Sequence, residues 1–323
     1  MNRDSINPRR WLHGGTWLIA TFFLVLLVRS VDVGRVWALG QEVRGAWVAL
    51  AVAANLLIIP LWAQQWRVLL PSSSPLALKR MLSLAAQFSF LGNAVPASGQ
   101  VSAVVLLGRE PGVTPAAALS ALTLEQATEG IVKVGVLVFA AELLALPVWM
   151  HSALIGLALV VALLTIVVAL AAFHYRRIEA MSARPRGSVI VARLIALVAQ
   201  WARDLESLRT PSRIALALAC SIGTKMAEAL AIVAVQHAFG LVLPFSTTLL
   251  VLAAAILGTI APLAPANLGV YEGAVVAAYR HAGLPPETAL TLAVVEHVCL
   301  LLGTAAVGYI VFSMGRVAGA RAA

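Results

Sequence analysis

Charge is scarce in this sequence. Of 323 residues, 11% are Asp, Glu, Lys or Arg and 61% are hydrophobic. A soluble domain carries about 25% charged residues, so the deficit excludes a water-facing surface over most of the protein. Cysteine is nearly absent too. Cys220 and Cys299 are the only two, both inside apolar runs, which excludes a disulfide framework and a cysteine zinc site. There is no paired-His metal motif, Gly-rich phosphate loop or nucleophile elbow, so no enzyme activity, metal or cofactor is expected. The polar–apolar alternation of membrane β-strands is missing as well.

What is present is long apolar runs, such as the one from Ala153 to Ala172. A transmembrane helix needs about 20 mostly apolar residues, and lipid admits only helices or closed barrels. The fold class read from this is an all-α polytopic membrane protein, with residues 1–323 as one membrane domain. Six segments read as full spans: 14–29, 45–63, 115–145, 152–173, 213–236 and 288–312. The first follows Arg9 and Arg10 without a small-residue cleavage pattern, so it is read as an anchor and not a signal peptide. Trp11, Trp47, Trp62, Trp66 and Trp149 lie near span ends, where an interfacial aromatic belt is expected.

Two further apolar segments are interrupted. Met81 to Leu107 is broken between Gly92 and Gly99, and Phe245 to His281 between Pro262 and Gly269. Pro and Gly break helices, and each half is short for a span. Both segments are read as re-entrant hairpins of two broken helices; longer halves would make two spans of each.

The net charge of +9 would suggest nucleic acid in a soluble protein. Here cytoplasmic loops account for it, because they collect Lys and Arg. With the N-terminus inside, 17 of the 23 Lys and Arg fall on the cytoplasmic side and 4 on the other. Lys133 and Lys225 remain in the membrane. Both termini are therefore expected in the cytoplasm, together with residues 174–212. In that loop Val191, Leu194, Ile195, Val198, Trp201, Leu205 and Leu208 recur at helical spacing. This spacing predicts an amphipathic helix, lying on the inner leaflet or packed under the bundle.

The sequence also repeats itself. Gly112, Pro115, Ala118, Leu119 and Glu125 align with Gly283, Pro286, Ala289, Leu290 and Glu296, five identities in fifteen positions. Each stretch comes after a broken hairpin. Repeat one covers about 14–146 and repeat two about 152–312. The first hairpin would enter from the cytoplasm and the second from the opposite side, so the copies would be inverted, which is a transporter architecture.

Buried ionisable groups in a membrane suggest function. Glu125, Glu129 and Lys133 occur at four-residue steps, and Lys225 and Glu228 three apart. Glu129 with Lys133, and Lys225 with Glu228, are equally well read as self-neutralising pairs. The second hairpin adds Asn267, Tyr271 and Glu272, and the last span Glu296 and His297. The first hairpin offers Gln87, Asn93, Ser98 and Gln100. Glu125 and Glu296 stand out as matched positions of the two repeats.

Four stretches resemble motifs of the lysylphosphatidylglycerol synthase transmembrane, or flippase-like, family. They are Gln65, Trp66, Arg67, Val68, Leu69, Leu70; Asn93 to Gly99 with Pro96; Leu124, Glu125, Gln126; and Asn267 to Glu272, where the family has a Gly-Leu-Gly-Val-aromatic-Glu run. The resemblance spans roughly residues 10–315. It implies a multi-pass bacterial inner-membrane protein that moves, or helps move, lipids between leaflets. The family's aminoacyl-transferring soluble domain is absent, so lipid synthesis is not implied. Gln126 stands where the family usually has Arg, and Glu129 where it usually has Asp.

The leading expectation is a flippase or scramblase of a phospholipid, hopanoid or polyprenyl-linked lipid, with Glu125, Glu272 and Glu296 facing the head group. The alternatives are a non-transporting scaffold for a lipid- or glycan-synthesis complex and an intramembrane transferase. The expected partners are a membrane lipid and, for the scaffold, lipid-synthesis enzymes; nucleic acid is not expected.

Overall fold

A computed structural model describes residues 43–94, 98–182, 189–260 and 263–311, together with Gly34 and Ala38. The first expected span, both termini and the tip of the first hairpin at 95–97 lie outside the described residues. Every regular element among the described residues is helical.

Helix α1 (Gly45–Leu56) runs almost directly into α2 (Ile58–Leu69). The first interrupted segment forms α3 (Leu78–Ala94) and α4 (Ser98–Leu107), packed on one another. Helix α5 is Pro115–Leu143 and α6 is Val148–Phe173. The basic loop holds α7 (Tyr175–Ser182) and α8 (Val189–Asp204). Helix α9 is Pro211–Ala238. The second interrupted segment forms α10 (Phe245–Thr259) and α11 (Val270–His281), again packed together. Helix α12 (Pro286–Leu301) continues through a π-turn at Leu302–Ala306 to Val311.

Among the described residues, four helical stretches are long and apolar enough to cross a membrane: Gly45–Leu69, Val148–Phe173, Pro211–Ala238 and Pro286–Val311. Helix α5 is 29 residues long, or about 43 Å at 1.5 Å per residue, but Glu125, Glu129, Lys133 and Glu142 lower its hydropathy. Local chemistry sets its start. The Thr114 hydroxyl accepts from the Ala117 N–H at 3.1 Å, and Pro115 occupies the first helical position, where its missing N–H costs nothing.

Burial sorts the spans. Only 11% of the apolar window of α6 is buried, against 44% in α9 and 50% in α12. Ile155, Leu159, Leu163, Ile166 and Leu170 on α6 are exposed. Such a surface fits hydrocarbon, since patches of that extent are rare on soluble monomers. Between helices, small residues allow close approach. A Cβ on Gly130 of α5 would lie 2.7 Å from Val161 of α6, and one on Gly303 would lie 2.6 Å from Asn55 of α1.

Two apolar cores form among the described residues. One joins α1, the end of α5 (Leu137, Ala140), the end of α9 (Ala231 to Val235), α10, α11 and α12. The other joins α2, α3, α4, the start of α5 (Ala117, Leu124) and the start of α9 (Ala217). The stretches of α5 and α9 between them carry the charges.

Two sequence expectations change here. Trp66, expected near an interface, is turned inward, and Trp62 is half-buried beside it. Trp66 is 1% exposed and both rings pack edge-on or tilted against Phe88 of α3, at 6.3 and 5.6 Å between centroids. The first hairpin covers this end of α2 and takes the rings inward. The apolar stripe of α8 divides as well. Gln200 and Trp201 donate to Thr114 and Thr123 at 3.1 and 3.2 Å, and Ala199, Ala202 and Leu205 are buried. Val191, Leu194 and Val198 remain exposed. One end of the helix therefore docks on α5 while the other presents apolar side chains outward.

Outside the spans, Arg80 holds Glu110 through two contacts of 2.8 and 2.5 Å, which raises the Arg80 pKa. Arg213 donates to the Leu70 carbonyl and, at 3.3 Å, to Ser72. It thereby ties the start of α9 to the end of α2.

Candidate functional site

Residues four apart on a helix lie nearly above one another, about 6 Å along the axis. Helix α5 thus stacks Glu125, Glu129 and Lys133. Lys133 pairs with Glu129 at 2.8 Å. On α9, Lys225 donates to both oxygens of Glu228, at 2.8 and 2.9 Å. The two pairs are joined, since Lys225 lies 3.8 Å from Glu129. Both intrahelical pairings expected from the sequence are present, and they form one cluster across α5 and α9.

Glu125, 1% exposed, accepts from the Trp62 indole at 2.9 Å and from Gln126 at 2.7 Å. One turn later Thr128 accepts from Gln65, which also donates to Ser221 of α9 at 2.8 Å. Gln65 therefore clamps α2, α5 and α9 together beside the ion pairs. A carboxylate left unpaired in hydrocarbon is costly, and these donors offset that cost at Glu125.

The second copy builds a different arrangement. In α11 the Glu272 carboxylate accepts from the Gly269 N–H at 2.7 Å, closing the helix N-terminus. Its other oxygen lies 2.7 Å from His297 Nδ1. The His297 ring stacks on Tyr271, with centroids 4.4 Å apart. Gly269, at φ 81°, sits in a conformation that favours glycine. Ala266 and Asn267 are also left-handed, at φ 50° and 54°. Asn267 Oδ1 is buried without a partner among the described residues. Glu296 accepts from the Tyr279 hydroxyl, and Tyr279 also accepts from Gln236 at 3.1 Å. The second oxygen of Glu296, Oε2, is buried without a partner among the described residues.

A cavity of about 200 Å³ opens between α5, α9, α10, α11 and α12. Glu129, Lys133, Lys225, Glu228, Tyr271 and Glu296 line it, with Asn55 of α1. The structure thus brings Glu129, Lys133, Lys225, Glu228, Tyr271 and Glu296 together. It places Glu125, Glu272 and His297 behind the wall, engaged with Trp62, Gly269 and each other. Of the three carboxylates expected to face a head group, only Glu296 lines this cavity; Glu129 takes the place of Glu125, whose carboxylate is drawn aside by Trp62. In the first hairpin, Gln87 donates to Ser83 at 3.2 Å and Asn93 to the Ser89 carbonyl at 2.8 Å. Gln100 is exposed. The Ser98 side chain lies outside what the structure describes.

Asn55, Trp62, Gln65, Ser221, Gln236 and Tyr279 were not anticipated. The signal for Asn55, Gln65 and Gln236 is an amide inside an apolar run. For Trp62 and Tyr279, the aromatic body concealed the donor at its edge.

Residues 16–308 match the family model described as the lysylphosphatidylglycerol synthase TM region. No curated protein and no solved structure matches the chain.

Proposed function

The chain belongs to the lysylphosphatidylglycerol synthase transmembrane-region family, and from that premise we propose that it translocates lipids between the leaflets of a bacterial inner membrane, without catalysing a chemical reaction. The observation that carries this reading is the charged cavity of about 200 Å³ inside an otherwise apolar helical bundle. A scaffold has no need of such a space, and charges kept within a membrane interior mark substrate or ion paths. The cavity suits a head group. An apolar groove of about 390 Å³ along α12, lined by Phe90, Val298, Leu301 and Tyr309, suits acyl chains. If ionised, three carboxylates and two lysines leave the cavity with an excess of one negative charge, which favours a cationic, zwitterionic or neutral head group.

Two inverted repeats are part of the proposal, and helix packing supports them. The long stretches α1–α2 and α9 pack on one another. Contacts of α2 with α3 and α5 have counterparts in α9 with α10 and α12, and α5 with α10 has one in the π-turn after α12 with α3. These contacts of one copy thus have counterparts in the other, as a pseudo-two-fold axis requires. The charge distribution orients the chain with residues 174–212 and both termini in the cytoplasm.

Reconstitution into liposomes with a panel of labelled lipids tests the function. Protein-dependent access of an outer-leaflet reagent to inner-leaflet lipid supports it. Protein-containing vesicles no faster than empty ones, for every head group, would overturn it.

A further inference from the structure

Helix α8 meets the bundle over only part of its surface. Toward its C-terminal end Ala199, Ala202 and Leu205 are buried, and Gln200 and Trp201 donate to Thr114 and Thr123 of α5. Toward its N-terminal end Val191, Leu194, Leu197 and Val198 are exposed. At about 100° per residue, Val191, Leu194 and Val198 fall within about 60° of one another, and Leu197 widens that apolar arc to about 120°. Arg193 stands about 40° beyond Leu197, at the border of the arc.

The place of this arc in the fold decides what covers it. Helices α7 and α8 pack on one another and on α6, whose last turns expose Leu170 and Phe173. Helix α8 also runs beside the first turns of α5. From Pro115 to Thr123 that helix rises about 12 Å, close to the roughly 13 Å by which its length exceeds a hydrocarbon core of about 30 Å. The arc therefore lies at head-group depth, next to a lipid-facing helix end. The charges around it that lack a partner are positive. Arg203 pairs with Glu179 at 3.3 Å, and Arg209 lies over the Tyr175 ring at 4.0 Å. Arg177 and Arg193 are exposed and meet no carboxylate among the described residues.

We propose that α7 and α8 form a docking surface for anionic lipids of the cytoplasmic leaflet, in which Arg177 and Arg193 hold head-group phosphates while Val191, Leu194 and Val198 sit among the first acyl carbons. A helix with an apolar face bordered by basic residues lies in an interface in this way. A guanidinium grips a phosphate through two parallel hydrogen bonds, which gives an anionic lipid an advantage that a neutral one lacks. The other occupants fit less well. An acidic peptide would satisfy the arginines and leave the apolar arc in water. A second copy of the chain, docked face to face, would set arginine against arginine. The lipid held here is a resident of the leaflet, outside the central cavity, so the surface does not depend on lipid translocation.

The test uses the full chain with Cys220 and Cys299 replaced by alanine and a single fluorophore attached through Val198→Cys, in the arc, or Ala196→Cys, on the exposed side away from it. Each protein is reconstituted into phosphatidylcholine vesicles that contain a small fixed fraction of nitroxide-labelled lipid, either phosphatidylglycerol or phosphatidylcholine. The label at 198 should be quenched more than the label at 196. Phosphatidylglycerol should quench it about twofold or more beyond phosphatidylcholine, as attraction of anionic lipid by basic residues requires. Salt at about 1 M, which screens charge beyond about 3 Å, should remove that preference. Arg177→Gln with Arg193→Gln, which keeps the apolar arc, should remove it as well. Equal quenching by the two lipids, or a preference that survives salt, overturns the proposal. So does equal quenching at 196 and 198, or none at either, the result expected of a face covered by protein or a second copy. A preference that persists in a correctly eluting double variant also overturns it, and the salt comparison stands where that variant fails to fold. No lipid movement is read, so failure of the translocation assay and failure of this proposal are separate results.

Discussion

Trp62 donates its indole N–H to the Glu125 carboxylate at 2.9 Å, a bond that closes 63 residues of chain. It fixes α2 to α5 through the matched glutamate of the first repeat. Trp62→Phe keeps the ring packing on Trp66 and Phe88 and removes only the donor. The loss should be about 1–3 kcal/mol, the usual penalty for stripping a partner from a buried group. Thermal unfolding in detergent measures it, and an unchanged midpoint would show that Glu125 does not need this donor.

Glu272 and His297 form the equivalent test in the second repeat. Either Glu272→Gln or His297→Ala leaves the other side chain buried with one partner fewer. The double variant should cost less than the sum of the single ones, with a coupling of about 0.5–3 kcal/mol. Additive losses would mean that the 2.7 Å contact contributes nothing.

Glu296 and Glu125 should separate in function. Glu296 lines the cavity and has one carboxylate oxygen buried without a partner among the described residues, whereas Glu125 does not line it. Glu296→Gln should slow lipid translocation by about tenfold or more, equivalent to roughly 1.4 kcal/mol. Glu125→Gln should act chiefly on stability. Wild-type rates in Glu296→Gln, measured across pH, would remove that carboxylate from the mechanism.

Gly303 should tolerate no side chain. A Cβ there would lie 2.6 Å from the Asn55 Cβ and 3.0 Å from backbone. Gly303→Val should cost about 1–3 kcal/mol by overpacking, with α12 displaced from α1. Unchanged thermal stability would show that the contact yields easily.

Orientation is open to direct test. Cysteines at positions 188 and 320, both outside the described residues, should react with an impermeant reagent only from the cytoplasmic face. Reaction of either in intact cells would reverse the charge-based topology.

Much of the fold could be read from composition and punctuation. Apolar runs gave the long helices, and the Gly–Pro interruptions gave both helical hairpins. Expected breaks at 92–99 and 262–269 fall where α3 and α4, and α10 and α11, part company. The site was legible only as a set of ionisable residues in apolar surroundings. Its partnerships were not, because they depend on where distant helices touch. Gln65 meets Ser221 across 156 residues, and no spacing rule reaches that far. Glu125 and Glu129 share nearly the same face of α5, so periodicity could not say which one lines a cavity. Trp62 decides it, and Trp62 resembled a membrane-interface residue.

The π-turn at Leu302–Ala306 gives α12 a property its unbroken length conceals. A π-turn holds one residue more than an α-helical turn, which rotates the C-terminal part of the helix by about 100° relative to the N-terminal part. On the N-terminal side, Glu296 addresses the polar interior; on the C-terminal side, Tyr309 meets Phe90 of the first hairpin at 5.5 Å. The helix therefore speaks to its two neighbours in separate phases. A single-residue deletion in 302–306 would leave a longer, better α-helix and point one of its halves at the wrong partner.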